Sequence, residues 1–332
     1  MSRPSDAVND TFFPLRHLNT INTVPVDLNS ILYGNERAIA RFLRMRNQTS
    51  EAREWDTRAS RRSEAMHALM WNETLHSYFD YNLTSSSQNV FFPADGNATA
   101  FETDPAPEGM QVAFSVAQFF PFWTGAAADE VKDDPEEVGR AYARVAQYLE
   151  TGAGGIPATN LRTGQQWDEP SVWPPLMHIL ISGMLNNTGE LPASNSTGTN
   201  TTTPSNSTSS SGFPVMNVNS NSTVTSYNNT EDLALAVAQR YLDSTFCTWY
   251  ATGGSTSETP QLEGFTDEDV GIMFEKYDSE STNVAGGGGE YEVVEGFGWS
   301  NGVLIWIVER FGNELRRPDC GDIQAADVHP GR

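Results

Sequence analysis

Apolar residues recur three and four positions apart along most of this chain, while strand-like alternation is confined to two short pieces, Ser77 to Phe92 and Tyr291 to Val294. A helix gathers residues at that spacing onto one face, which is buried by packing against a neighbouring element. Pro25 and Asp27 open one such segment, with Leu28, Ile31, Leu32, Ile39, Phe42, Leu43 and Met45 in its stripe, and a second runs from about Glu51 to Trp71. The same spacing predicts helices over Met110 to Ala128, Glu136 to Glu150, Pro174 to Leu185, Asp232 to Thr252, Asp267 to Tyr277 and Ser300 to Phe311. Eight helices with variable connections predict an all-α array of helical hairpins, in which loops carry the chemistry.

One stretch cannot join that array. From Asn186 to Thr230 the sequence turns to Ser, Thr, Asn, Gly and Pro, with too few large apolar side chains to offset the entropy of ordering it. The helical patterns on its two sides resemble each other, so residues 186–230 read as a low-complexity surface insertion within one unit rather than a linker between two. Asn-X-Ser/Thr acceptors stand at Asn9, Asn47, Asn72, Asn82, Asn97, Asn186, Asn195, Asn200, Asn206, Asn221 and Asn228. They predict a glycoprotein that is secreted, cell-wall bound or vacuolar. Met1 to Asp10 lacks the apolar run of a signal peptide, so the expectation is that N-terminal sequence is missing.

Charge narrows the partners. Lys+Arg 20 against Asp+Glu 43 gives a net charge of −23, without the clustered cations that nucleic acid or anionic lipid requires. No apolar run is long enough to insert into a membrane. The eight arginines from Arg37 to Arg62 are interleaved with Glu36, Glu51, Glu54 and Asp56 and read as solvated helix faces with local ion pairs. Cys247 and Cys320 can form one bridge at most. The sequence does not fix whether they do, nor the oligomeric state.

Few motifs suit metal or phosphate. The five histidines are scattered without ligand spacing, and Gly286 to Gly289 is followed by Glu290 where a phosphate-binding loop would place a lysine. Gly298-Trp299-Ser300-Asn301-Gly302 matches the Gly-x-Ser-x-Gly elbow, with Asp319, Asp322 and His329 downstream, which keeps a serine esterase using Ser300 as a remote alternative. The stronger constellation joins carboxylates to aromatic rings in loops: Gln165 to Pro175, Phe274 to Asp278, and Gly286 to Trp299. Sugars stack their C–H faces on aromatic rings, and glycoside hydrolysis needs two carboxyl groups flanking the bond.

Gln166-Trp167-Asp168-Glu169-Pro170-Ser171-Val172-Trp173-Pro174-Pro175 closely resembles the second signature of the trehalase family. Val24-Pro25-Val26-Asp27-Leu28-Asn29, Phe79-Asp80-Tyr81, Gly154-Gly155-Ile156-Pro157, Glu275-Lys276-Tyr277-Asp278 and Gly287 to Gly302 are each similar to further trehalase blocks, in the same order. The resemblance implies an (α/α)6 barrel, here N-terminally truncated, that hydrolyses α,α-trehalose to two glucose molecules with inversion and without a metal or organic cofactor. It implies that Glu275 is the general base, that Glu290 binds substrate, and that Gln166, Trp167 and Asp168 line the pocket. Trp167 and Asp168 are equally well read as residues that hold the loop.

The departures are as informative. The family's general acid is an aspartate in a Trp-Asp motif just upstream of Ser-Arg, and no Trp precedes Asp6, so Asp6 is not promoted to that role although Met1-Ser2-Arg3 matches the tail of the block. The chain thus reads as the C-terminal part of a trehalase and a poor enzyme alone. A non-catalytic sugar-binding glycoprotein is the alternative.

Overall fold

The computed structural model describes residues 19–94, 105–192, 227–287 and 293–323. Among them lie the helices α1 (Val26–Met45), α2 (Thr49–Met70), α3 (Phe120–Thr124), α4 (Asp129–Lys132), α5 (Pro135–Thr151), α6 (Pro174–Asn186), α7 (Thr230–Ala251) and α8 (Gly298–Phe311). The strands are two or three residues long: β1 (Thr23–Val24), β2 (Trp71–Asn72), β3 (Ser77–Tyr78), β4 (Tyr81–Asn82), β5 (Ser87–Gln88), β6 (Phe91–Pro93), β7 (Met110–Val112), β8 (Ser171–Val172) and β9 (Tyr277–Asp278). All named pairs are antiparallel and no described sheet exceeds three strands, so the all-α class holds.

Helix α1 begins where its sequence block predicts, and a distant block caps it. The first free amide, Val26 N, donates to Asp80 Oδ1 at 2.8 Å, while Val24 pairs with Tyr81 across β1 and β4. The Val24-to-Asn29 and Phe79-to-Tyr81 blocks are therefore one structural unit. The α1–α2 hairpin turns at Asn47 and is tied by Arg62, which donates to both Glu36 oxygens at 2.8 and 3.1 Å and to Asn29 Oδ1 at 2.7 Å. Asp56 accepts from Arg37 and Arg44. These arginines serve the hairpin, as their interleaving with acids predicts.

Two predicted helices do not form as such. Met110 to Ala128 divides into β7, a 3-10 turn (Val116–Phe119) opened by a Ser115/Gln118 capping box, and the short α3, which Pro121 starts and left-handed Gly125 ends. Asp267 to Tyr277 forms no helix: it passes through a turn, with Asp269 N donating to Thr266 O at 2.9 Å, and ends in β9. Left-handed Gly271 lies over Trp249, where a Cβ would stand 2.4 Å from the indole.

The helices α1, α3, α6 and α8 touch in succession as one row, with α2 behind α1, α7 behind α6 and α8, and α5 against α7. Helix α6 sits near the middle and buries Met177, Ile179, Leu180, Ile181 and Met184. Arg240 of α7 donates to the carbonyls of Leu149, Gly152 and Gly154, completing the C-terminal end of α5. Between α6 and α7 the chain leaves and returns at one place: Leu191 N donates to Asn228 O at 3.0 Å, and Glu190 bridges Asn229. Residues 193–226 lie outside the described residues. Cys247 of α7 is bonded to Cys320 beyond α8. No described helix is long and apolar enough to cross a membrane.

Candidate active site

The three aromatic and acidic loops, separate in sequence, converge on one short ladder. Strand β8, from the Gln166-to-Pro175 block, pairs with β9, from the Glu275-to-Asp278 block, so that Ser171 faces Asp278 and Val172 faces Tyr277. On its other side the Phe274-to-Tyr277 segment meets the glycine-rich block: Phe274 bridges Glu295, Tyr277 bridges Ala285, and Glu275 N donates to Val294 O at 2.8 Å. Glu275 thus stands on the central segment, 4% exposed. The Gly154-Gly155 pair docks underneath because only hydrogen fits: a Cβ on Gly154 would stand 1.9 Å from Asp278 O, and one on Gly155 2.7 Å from Val172 Cγ1.

Indole rings build a wall beside this ladder. Trp167 stacks on Trp173 with centroids 3.8 Å apart and planes 7° from parallel, and Trp173 meets Trp299 edge-on at 5.7 Å. Trp173 is buried and Trp167 is 45% exposed, so the outermost ring presents its surface to solvent. Each deeper indole N–H is spent on the loops: Trp173 Nε1 donates to Gln166 O at 2.9 Å and Trp299 Nε1 to Glu275 O at 2.8 Å. The side-chain oxygen of Gln166 is buried with no hydrogen-bond partner among the described residues.

Asp168 is tied into its own loop. Its two carboxylate oxygens accept from Thr159 Oγ1 and Thr163 Oγ1; burial raises its pKa while the hydroxyls oppose that shift. Glu169 is buried against Arg162, which also reaches Glu280 at 2.6 Å and so joins the two blocks. Lys276 is 1% exposed and donates to Gly287 O at 2.6 Å and Ser171 Oγ at 3.3 Å. Burial lowers its pKa to about 8, against the opposing charge of Glu275. Lys276 was legible only as part of its block, because nothing in its spacing distinguishes a buried tether from a surface lysine.

Ser300 is fully buried in the first turn of α8, and its hydroxyl donates to Phe274 O at 2.5 Å. A sealed hydroxyl committed to a carbonyl is a packing group, not a nucleophile elbow. Glu290 and His329 lie outside the described residues. Among the described residues no group of three His, Cys, Asp or Glu is placed to hold a metal ion.

The chain is thus a helical array whose loops gather stacked indoles and a buried carboxylate beside one short ladder. The family model described as Trehalase matches residues 7–203 and 260–312, and the chain belongs to the trehalase family. It is 28% identical over 319 residues to trehalase of Dictyostelium discoideum, covering 96% of this chain and 40% of that protein. Identity is 26% over 307 residues to trehalase of Homo sapiens, covering 91% and 38%. Periplasmic trehalase of Salmonella choleraesuis (strain SC-B67) is 27% identical over 297 residues, covering 89% and 37%. Among solved structures, neutral trehalase of Saccharomyces cerevisiae aligns with a TM-score of 0.48 at 17% identity, covering 87% of this chain and 38% of that one. The chain thus spans about two fifths of the length of these relatives.

Proposed function

We propose that the chain carries the general-base side of a site that hydrolyses α,α-trehalose to two glucose molecules with inversion. The observation that carries this reading is the burial of Glu275 at the junction of the three loop blocks. In the proposed reaction Glu275 takes a proton from water, and the water oxygen bonds to the anomeric carbon opposite the departing glucose. The glycosidic C–O bond breaks, and the leaving oxygen takes a proton from a general acid about 6.5 to 9.5 Å from the base carboxylate. That acid has no assigned residue in this chain. Trp167 offers a stacking face for one sugar ring, Gln166 and Asp168 are proposed to line the pocket beside it, and Glu290 is proposed as a second substrate ligand.

Residues 186–230 are proposed as one glycosylated insertion in a single partial catalytic domain, a reading supported by the pairing of Glu190 with Asn229 at its mouth. A secreted, cell-wall or vacuolar setting is supported by the Cys247–Cys320 disulfide, which persists in oxidising compartments, and by the exposed acceptors Asn47, Asn186 and Asn228. The test is glucose release from trehalose by the chain and by Glu275→Gln. Loss of about 10²- to 10⁴-fold in the variant is expected of a general base. Equal activity in both proteins would remove Glu275 from the chemistry, and trehalose binding with no release in either would favour the sugar-binding alternative.

A further inference from the structure

Five Asn-X-Ser/Thr acceptors fall among the described residues, at Asn47, Asn72, Asn82, Asn186 and Asn228. By motif they are equivalent, yet the folded chain treats the first three differently. Asn72 ends β2 and Asn82 ends β4, and each folds its side chain into the same kind of turn. Asn72 Oδ1 accepts from the amides of Thr74 and Leu75 at 3.1 and 3.0 Å, and Asn82 Oδ1 from those of Thr84 and Ser85 at 2.8 and 3.2 Å.

The two part company at the atom that would carry a sugar. Asn72 Nδ2 donates to Gln88 Oε1 at 2.9 Å, and Gln88 Nε2 donates in turn to the carbonyls of Trp71 and Leu69 at 2.7 and 3.3 Å. The Asn72 amide is thereby held between β2, β5 and the last turn of α2. Asn82 Nδ2 has no partner among the described residues and is not buried, so the turn fixes the amide plane and leaves its nitrogen to water. Asn47 is open throughout: it stands exposed in the turn between α1 and α2 at a φ of 60°, followed by exposed Gln48 and Thr49. Its backbone N–H makes the turn, donating to Arg44 O at 2.9 Å.

On the secretory setting proposed above, we propose that Asn47 and Asn82 carry N-linked glycans and that Asn72, with the same motif, stays bare in the folded protein. In the transfer, Nδ2 bonds to the anomeric carbon of an oligosaccharide carried on a polyprenyl diphosphate. The C–O bond to the diphosphate breaks, the diphosphate leaves with the bonding pair, and Nδ2 gives up one proton to the transferase. The unfolded chain presents all three sites alike, and the fold then selects. A saccharide on Asn72 Nδ2 must displace Gln88 and with it the bonds to Leu69 and Trp71, whereas on Asn47 or Asn82 it projects into water.

The full chain, directed into the secretory pathway of a eukaryotic host by a cleaved leader, is expected to be recovered folded with glycans at both sites. Release by a peptide N-glycosidase in heavy-oxygen water labels each occupied position, and peptide masses should show label at positions 47 and 82 and none at 72. Thr49→Ala and Thr84→Ala should each remove one glycan step on a gel and Thr74→Ala none; all three threonines are exposed, so the fold is expected to tolerate the changes. Gln88→Ala removes the partner of Asn72 and should raise occupancy there in the recovered protein. Label at position 72 of the folded wild-type chain, or its absence at 47 or 82, overturns the assignment. Because the leader supplies entry, neither result is confused with failure of the setting. That failure would appear as a glycan-free protein from its own cells beside a leader-directed chain carrying both glycans, and it would overturn the native modification.

Discussion

Lys276 shows how one side chain can lock a site without reacting in it. Its ammonium clamps the Gly287 carbonyl to Ser171, and burial draws its pKa down to about 8 from the ordinary 10.5. Between those values the unfolded chain holds a proton that the folded chain has released, so this residue's contribution to stability rises with pH across the window and is flat on either side. Urea unfolding at about pH 7 and about pH 10 should show wild type gaining stability relative to Lys276→Met at the higher pH. A constant gap would contradict the shift. Ser300 gives a second prediction: Ser300→Ala leaves the Phe274 carbonyl short of its buried donor and should cost about 1 to 3 kcal/mol in unfolding free energy. Esterase chemistry would instead be read as lost turnover on an activated ester with stability unchanged.

The elements explain why the sequence blocks look as they do. Phe79-Asp80-Tyr81 delivers a helix cap from the connection between β3 and β4, and Gly154-Gly155 is a space left for Asp278 and Val172. Gly154→Ala would push a methyl into the Asp278 carbonyl and should destabilise the protein by at least about 1 to 3 kcal/mol, the usual scale of overpacking, measured as a fall in thermal midpoint. The same local logic accounts for the two misread helices. Apolar periodicity was present in Met110 to Ala128 and Asp267 to Tyr277, but the Ser115/Gln118 box, Pro121, and the left-handed Gly125 and Gly271 impose starts and stops that periodicity ignores. Those residues were visible in the sequence; that they outweighed the stripe was not.

For the whole molecule, the row of helices ends in exposed apolar residues at both extremes: Leu28, Ile39 and Phe42 of α1 at one, and Ile305 and Val308 of α8 at the other. The pattern of α1 was read correctly as amphipathic, yet periodicity gives a stripe without saying which way it faces. The Cys247–Cys320 bond closes a loop of 73 residues and ties the segment after α8 to α7. Its reduction should remove roughly 4 kcal/mol of stability by loop entropy alone, seen as a lower urea midpoint in reducing buffer and in Cys320→Ser.

Helix class, the acidity and the six collinear blocks are local or compositional properties, so the sequence by itself determined them and with them the family. The ladder that sets Glu275 between Ser171 and Val294 segments, the meeting of Trp173 with Trp299, the hydrogen bond from Ser300 to Phe274, and the disulfide join residues about twenty to more than a hundred positions apart. Such contacts depend on where whole helices come to rest, which is settled by the competition of every buried surface for partners. Only the tertiary structure could decide them.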